Sequence, residues 1–199
     1  MSQGIGQQKT ALRQRVRSEL KRLSPAGRLA ASERACWRLR QEPIWREARS
    51  VLLYAPLPDE VDIGPLLTEA LAAGKELALP RFDTQEQMYL ARRVLHLTND
   101  LRPGRFGIAE PAESCPDVPL KRLDFILAPG VAFAWDGRRL GRGKGYYDRL
   151  LSFVRGVKCG IAFDEQMMDD IPAEPHDVRM DYILTPTRWT RAGRSGVLK

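Results

Sequence analysis

The residues predict an α/β fold: one domain, a sandwich in which a mostly parallel sheet is covered by helices on both faces. Three observations carry that reading. Runs such as Val51-Leu52-Leu53-Tyr54 and Phe125-Ile126-Leu127-Ala128 are apolar at every position, so neither face of these strands is suited to water. They alternate with segments of helical periodicity, the pattern of strands joined by crossover helices. At 199 residues, with 43% hydrophobic and 29% charged residues, the chain has room for one domain with a substantial core, and residues 1–199 are read as that domain.

Residues 7–22 form an amphipathic helix, with Leu12, Val16 and Leu20 four apart and Lys9, Arg13 and Arg17 in a parallel basic row. Ser24 and Pro25 supply an N-cap and a first-turn proline for a second helix reaching Gln41. Strand 50–54 ends at Pro56, and the acidic loop Pro58-Asp59-Glu60-Val61-Asp62 leads into a helix over 64–73 that stops at Gly74. A second strand, 76–79, ends at Pro80, and 88–95 is a third. After a glycine-bearing loop at 105–111, strand 124–128 delivers the chain to Pro129 and Gly130. Strand 156–162, a polar connector at 164–171, a rigid loop at 172–177 and a last strand at 182–184 complete the order. Residues 188–199 are a basic tail whose end is expected to fray.

No stretch is long and apolar enough to span a membrane as a helix, and the polar residues 1–8 lack the apolar run of a signal peptide, so the cytoplasm is the expected compartment. Cys36, Cys115 and Cys159 are odd in number and share no metal-like spacing, so they are read as reduced packing residues. His96 has no partner at metal or nucleophile spacing and is read as a surface or packing residue. The net charge of +7 fits either a nucleic-acid binder with a phosphate-tracking stripe or an enzyme that gathers polyanionic substrates. Glu19, Glu33, Glu42 and Glu47 interrupt the arginine-bearing segment 9–49, and no RNA-recognition, zinc-finger or homeodomain pattern is present.

The chemistry concentrates in Gly141-Arg142-Gly143-Lys144-Gly145-Tyr146-Tyr147-Asp148-Arg149. Alternating glycines allow positive φ and inward-turned N–H groups, and the cations between them supply charge. A helix is expected to follow directly, with Tyr147, Leu150, Leu151 and Val154 on one apolar face and its N-terminus resting on the loop as an anion site. Asp148 falls off that face, where a carboxylate can hold a magnesium ion that bridges polyphosphate oxygens. The plainer reading, a turn opening a helix, is weakened by two aromatics and two cations at fixed places. Neither common nucleotide fingerprint fits: Tyr146 stands where G-x-G-x-x-G needs its third glycine, and Lys144 precedes Gly145 rather than the Ser or Thr of a P-loop.

Extended back through Arg139-Leu140, this stretch resembles the signature of the 5-formyltetrahydrofolate cyclo-ligase family. Lys9 and Arg13 match the family's opening Lys-x-x-x-Arg, Glu60-Val61-Asp62 its glutamate segment, Pro129-Gly130-Val131-Ala132-Phe133 the strand end before the signature, and His176-Asp177 its late His-Asp. The resemblance implies an α/β sandwich, ATP as co-substrate, magnesium and a folate substrate. It assigns Lys9, Arg13 and the residues from Gly141 to Arg149 to the nucleotide, and Asp148 with Asp177 to the metal. Glu60 is assigned to the pterin, with Ala55 and Tyr146 lining the same pocket; a carboxylate can accept two parallel hydrogen bonds from an amino-pyrimidinone edge. Gly-x-x-Glu-Pro at 107–111 resembles a segment near the folate, where members often carry an aromatic at the place of Ala109; Phe106 is the candidate to substitute for it. His176 is read as structural, because no Ser or Cys nucleophile is spaced to complete a triad.

The resulting reading is an ATP- and magnesium-dependent ligase that closes 5-formyltetrahydrofolate to 5,10-methenyltetrahydrofolate and releases ADP and phosphate through a phosphorylated formyl group. Arg142, Lys144, Tyr147 and Arg149 are the catalytic candidates, the cations offsetting phosphate charge without a covalent enzyme intermediate. A monomer without nucleic-acid or membrane partners is expected. Two alternatives stay open: the same fold serving as an RNA- or protein-binding module, and a related ATP-dependent ligase acting on another substrate.

Overall fold

The computed structural model describes residues 4–193, the side chain of Phe106 excepted. Its helices are α1 (Ile5–Leu20), α2 (Pro25–Gln41), α3 (Pro43–Glu47), α4 (Gly64–Ala72) and α5 (Tyr146–Ser152). Its strands are β1 (Ser50–Leu52), β2 (Glu76–Asp83), β3 (Met88–Arg93), β4 (Leu101–Pro103), β5 (Ala109–Pro111), β6 (Phe125–Ala128), β7 (Ala132–Phe133), β8 (Arg139–Leu140), β9 (Val157–Ile161), β10 (Tyr182–Leu184) and β11 (Trp189–Arg191). The main sheet has the order β11-β10-β9-β6-β1-β2-β3, and β4-β5 and β7-β8 are two-stranded ribbons. The pairings among β10, β9, β6, β1 and β2 are parallel, and β3 and β11 close the two edges antiparallel. From the adjacent strands β1 and β6 the chain leaves in opposite directions, through α4 to β2 and through α5 to β9. That makes the β1/β6 boundary the topological switch point, where a crevice opens in sheets of this kind.

Alternation along the central strands divides the core. Val51, Leu53, Phe125 and Leu127 face one cluster, packed by Val16 of α1, Leu39 of α2, Trp45 of α3 and Leu66 of α4. Leu52, Ile126 and Ala128 face the other, covered by Leu150 and Leu151 of α5 with Val118 and Met180. Leu150 and Leu151 are fully buried, which stabilises the fold by about 1.5–3 kcal/mol each. The start of α2 follows its sequence signal: Ser24 Oγ accepts from Gly27 N at 3.0 Å, a cap worth about 1 kcal/mol. Among the described residues no helix is long and apolar enough to cross a membrane. All three cysteines are buried and free, and His96 is exposed.

Four local expectations are corrected. The second strand does not stop at Pro80: β2 continues to Asp83, with Pro80 opposite Ala91. Ala78 faces β1, since its carbonyl accepts from Leu53 N, and Pro80 has the same parity; β1 has ended there, so the missing N–H leaves no ladder bond unmade. The helix after the glycine loop has only seven residues, with Val154 buried just past its end. The connector at 164–171 is not merely polar, because buried Gln166 donates to the carbonyls of Gly130 at 2.8 Å and Val131 at 3.1 Å. The basic tail supplies β11, whose Trp189 stacks on Tyr182 with centroids 4.8 Å apart, and the fraying expected at 194–199 lies outside the described residues.

Candidate active site

A cleft of about 490 Å³ opens beside Ala55 after β1, Pro80 within β2 and Pro129 after β6. Its acidic wall is the loop after β1. Buried Tyr54 donates its hydroxyl to Val61 O at 2.7 Å, and Asp62 N donates to Ser32 Oγ of α2 at 3.0 Å, so both ends of that loop are fixed. Leu57 N donates to Glu60 Oε2 at 3.0 Å, which folds the glutamate back over its own turn. The facing wall is the glycine loop. Gly143 and Gly145 take the positive φ expected of them, at 108° and 67°. Gly141 does not: its reason is proximity, because a Cβ there would lie 3.2 Å from Arg139 Nη1.

Arg142 joins the two walls, its Nη2 lying 2.6 Å from Asp59 Oδ1 and 2.9 Å from Glu60 Oε1. Burial opposes the charge of this guanidinium, yet its bonds to Asp59 and Glu60 prevail and raise its pKa. Lys144 lines the cleft, is exposed, and makes no hydrogen bond or ion pair among the described residues. Tyr147 lines it as well; burial, reinforced by the Glu60 charge, pushes its phenol well above 10, so it is a neutral donor. Tyr146 packs on Phe82 at 4.7 Å and Tyr89 at 6.0 Å, and Phe82 and Tyr89 are paired across the β2–β3 hairpin. Glu110 is 4% exposed, with Oε2 3.4 Å from Phe82 N, and burial pushes its carboxyl pKa upward.

Arg139 stands between this cleft and a second cavity of about 240 Å³ lined by Glu174, Asp177 and Val178. The arginine side chain is 2% exposed and pairs with Asp148 at 2.9 Å, and Nη1 donates to Pro129 O at 3.2 Å. Asp148 Oδ1 also accepts from Val178 N at 3.3 Å. On the far side Lys9, 7% exposed, donates to Asp177 Oδ2 at 2.6 Å and Glu174 Oε2 at 2.8 Å. Burial is the largest influence and works against both charges, but the hydrogen bonds and charges of Asp177 and Glu174 together raise the Lys9 pKa, and the Lys9 hydrogen bond, the Glu174 N–H and the Lys9 charge together lower that of Asp177. Asp148 Oδ2 and Asp177 Oδ1 accept no hydrogen bond among the described residues, so each carboxylate keeps one oxygen suited to a hard cation. Glu174, His176 and Asp177 also offer ligand atoms within 4.8 Å of one another, a grouping that leaves Asp148 out.

Of the residues singled out in the sequence, Ala55, Glu60, Gly141, Arg142, Lys144, Gly145, Tyr146, Tyr147 and Asp148 line the main cleft, whereas Lys9, Arg13, Gly143, Arg149 and Asp177 do not. Arg13 acts on the loop itself: Nε donates to Gly141 O at 2.9 Å, and a Cβ on Gly143 would lie 3.4 Å from its Cζ. Arg149 is exposed and lies over the Tyr146 ring at 5.4 Å, away from the cleft. At seven residues α5 contributes little dipole, so the positive character of this wall comes from side-chain cations and the loop backbone. His176 is exposed and 3.8 Å from Asp177 Oδ1, beyond hydrogen-bonding distance. Ala109 lines the cleft without an aromatic ring, and the substitute role of Phe106 rests on a side chain outside the described residues. Tyr54, Asp59, Tyr89, Glu110 and Arg139 also line the cleft and carry no site assignment in the sequence reading, although Arg139 opens the signature stretch and Glu110 lies in the segment likened to one near the folate. A signal existed for Tyr54, the last apolar residue of its strand, and for Tyr89, which hairpin register places opposite Phe82.

A crevice at the switch point of a parallel sheet, with a cationic glycine loop facing a carboxylate loop, defines an α/β protein with a small-molecule-sized cleft. Comparison with known proteins narrows this. The model of the 5-formyltetrahydrofolate cyclo-ligase family matches residues 5–186. The 5-formyltetrahydrofolate cyclo-ligase of Escherichia coli is 31% identical over 177 residues, 87% of this chain and 97% of the relative. That of Mycolicibacterium smegmatis is 36% identical over 145 residues, 70% of this chain and 75% of the relative. The solved structure of Aquifex aeolicus 5,10-methenyltetrahydrofolate synthetase superposes with a TM-score of 0.84 at 37% identity, covering 96% of both chains. The chain belongs to the 5-formyltetrahydrofolate cyclo-ligase family and is an enzyme, a ligase.

Proposed function

We propose that this enzyme closes 5-formyltetrahydrofolate to 5,10-methenyltetrahydrofolate at the expense of ATP, releasing ADP and phosphate. The observation that carries this reading is the juxtaposition in one cleft of the Glu60 carboxylate and the cations Arg142 and Lys144. Glu60 suits the amino-pyrimidinone edge of a pterin, with Ala55 and Tyr146 beside it, and the cations suit a polyphosphate. The basic row of the first helix supports an enzyme over a nucleic-acid binder, because Lys9 is buried in ion pairs and Arg13 is bonded to the glycine loop.

A formamide oxygen is a poor leaving group. In the proposed route it attacks the γ-phosphorus as the bond to ADP breaks; the anilino nitrogen then attacks the activated carbon, loses its proton, and phosphate departs with the formyl oxygen. Arg142 and Lys144 offset the charge that develops on the phosphoryl group, and Tyr147, neutral at working pH, donates a hydrogen bond without adding charge. Arg13 braces the glycine loop, Lys9 holds the loop of Glu174 and Asp177, and Arg149 acts only from outside the cleft. Asp148 and Asp177 would hold magnesium through their remaining oxygens, and the ion would neutralise phosphate charge.

Heavy oxygen in the formyl group tests the route. One labelled atom should appear in the phosphate released per single turnover, read by mass. Unlabelled phosphate beside normal methenyl product would mean that water cleaves ATP, and the phosphorylated formyl group would be abandoned.

A further inference from the structure

Asp59 takes no part in the reaction just described, yet it shares the Arg142 guanidinium with Glu60. Arg142 Nη2 lies 2.6 Å from Asp59 Oδ1 and 2.9 Å from Glu60 Oε1, and Nε is 3.3 Å from the same Glu60 oxygen. The partners are 83 and 82 residues apart in sequence, so these contacts bond the acidic loop directly to the glycine loop. Both oxygens of Glu60 are engaged, because the second accepts from Leu57 N at 3.0 Å, and its side chain is only 10% exposed. The two groups assigned to different substrates therefore satisfy each other when neither substrate is bound.

We propose that Asp59, Glu60 and Arg142 form a clasp that couples nucleotide and folate binding, so that each substrate tightens the other. The inference rests on the assignment of Arg142 to phosphate and Glu60 to pterin. Phosphate oxygens compete with both carboxylates for the guanidinium donors and, in drawing Arg142 away, free Oε1 of Glu60. A pterin edge competes for that same oxygen and frees the guanidinium. Whichever ligand arrives first bears the cost of opening the contact, and the second finds its group already released. Coupling of this kind is reciprocal by thermodynamic necessity. Asp59 has a separate effect: it opposes only the nucleotide, since the pterin need not displace it.

Calorimetric titration of the full chain with 5-formyltetrahydrofolate and with the β,γ-imido analogue of ATP plus magnesium, each alone and each in the presence of the other, tests the clasp. In the unaltered protein each ligand should tighten the other by about fivefold or more. Asp59→Asn should tighten the analogue alone by about twofold to fivefold while leaving folate affinity within twofold, a selectivity that a merely loosened loop would not give. Independent binding of the two ligands, mutual weakening, or an Asp59→Asn variant that binds the analogue more weakly overturns the clasp with the assignment of the substrates intact. Failure of the unaltered protein to bind either ligand overturns the assignment, and the clasp with it.

Discussion

Lys9 Nζ lies 2.6 Å from Asp177 Oδ2, although the two residues are 168 positions apart. The contact docks the start of α1 against the loop before β10, in a place where burial leaves the ammonium no alternative partner but Glu174. Lys9→Met would leave two carboxylates facing each other without a cation. Denaturant unfolding at neutral pH should show a loss of about 1–3 kcal/mol with an unchanged m-value. The sign of the pH dependence follows from the two shifts. The Asp177 pKa is lowered from 3.8, so its share is present above 3.8 and is lost as pH falls through the lowered folded value. The Lys9 pKa is raised from 10.5, so its share is present below 10.5 and is lost as pH rises through the raised value. The gap between parent and variant should therefore narrow at both extremes, and a constant gap would contradict the pairing.

Asp148→Asn keeps an acceptor toward Arg139 but removes the charge that balances it, and the arginine side chain is 2% exposed. The fold should survive with a loss of about 1–3 kcal/mol. Turnover should fall sharply and the half-saturating magnesium concentration should rise; an unchanged magnesium dependence would detach Asp148 from the metal.

Gly143 sits at φ 108°, so Gly143→Val places a β-branched side chain where L residues are strained by about 1–3 kcal/mol. The added atoms would also press on Arg13. Nucleotide affinity should drop more than folate affinity, with only a modest change in thermal midpoint. Equal loss of both ligands would make the loop a scaffold rather than a phosphate cradle.

Tyr147 stays protonated because burial and the nearby Glu60 charge hold its phenol well above 10. Tyr147→Phe should lower kcat by about twofold to tenfold, the worth of one net hydrogen bond, and leave the shape of the rate profile between about pH 6 and 9 unaltered. A limb that disappears in the variant would assign an ionisation to this hydroxyl.

Much of the fold is legible because its central strands are buried on both faces: Phe125 to Ala128 is apolar at every position and becomes β6 without adjustment. The cap at Ser24 and the stop at Gly74, φ 71°, are local chemistry and were equally readable. β11 was hidden because Trp-Thr-Arg in a basic tail has no apolar run, and it is secured by antiparallel pairing with β10 and by the stacking of Trp189 on Tyr182. Lys9 offered a signal that was passed over. It shares the stripe of Arg13, Val16 and Leu20, and the residues of α1 that end up buried are Lys9, Val16 and Leu20, whereas Arg17 of the supposed basic row is exposed. Arg139 and Asp59 were illegible for another reason. In a chain with 32 basic and 25 acidic residues, nothing local marks that Arg139 will be buried, or that Asp59 will meet Arg142 from 83 residues away.

The contacts that complete the site run between the two ends of the sequence: Lys9 to Asp177, and Arg13 to the carbonyl of Gly141. A ribosome makes about 5–20 residues per second, so α1 emerges roughly 10–30 s before its partners at 174–177 leave the exit tunnel. During that interval Val16 and Leu20 have few of their final neighbours, and β1 waits for β6. The second cavity, lined by Glu174 and Asp177, is thus among the last parts of the molecule to become whole. A chain released early, short of residue 177, would carry most of the sheet and the entire glycine loop and still lack the brace behind them.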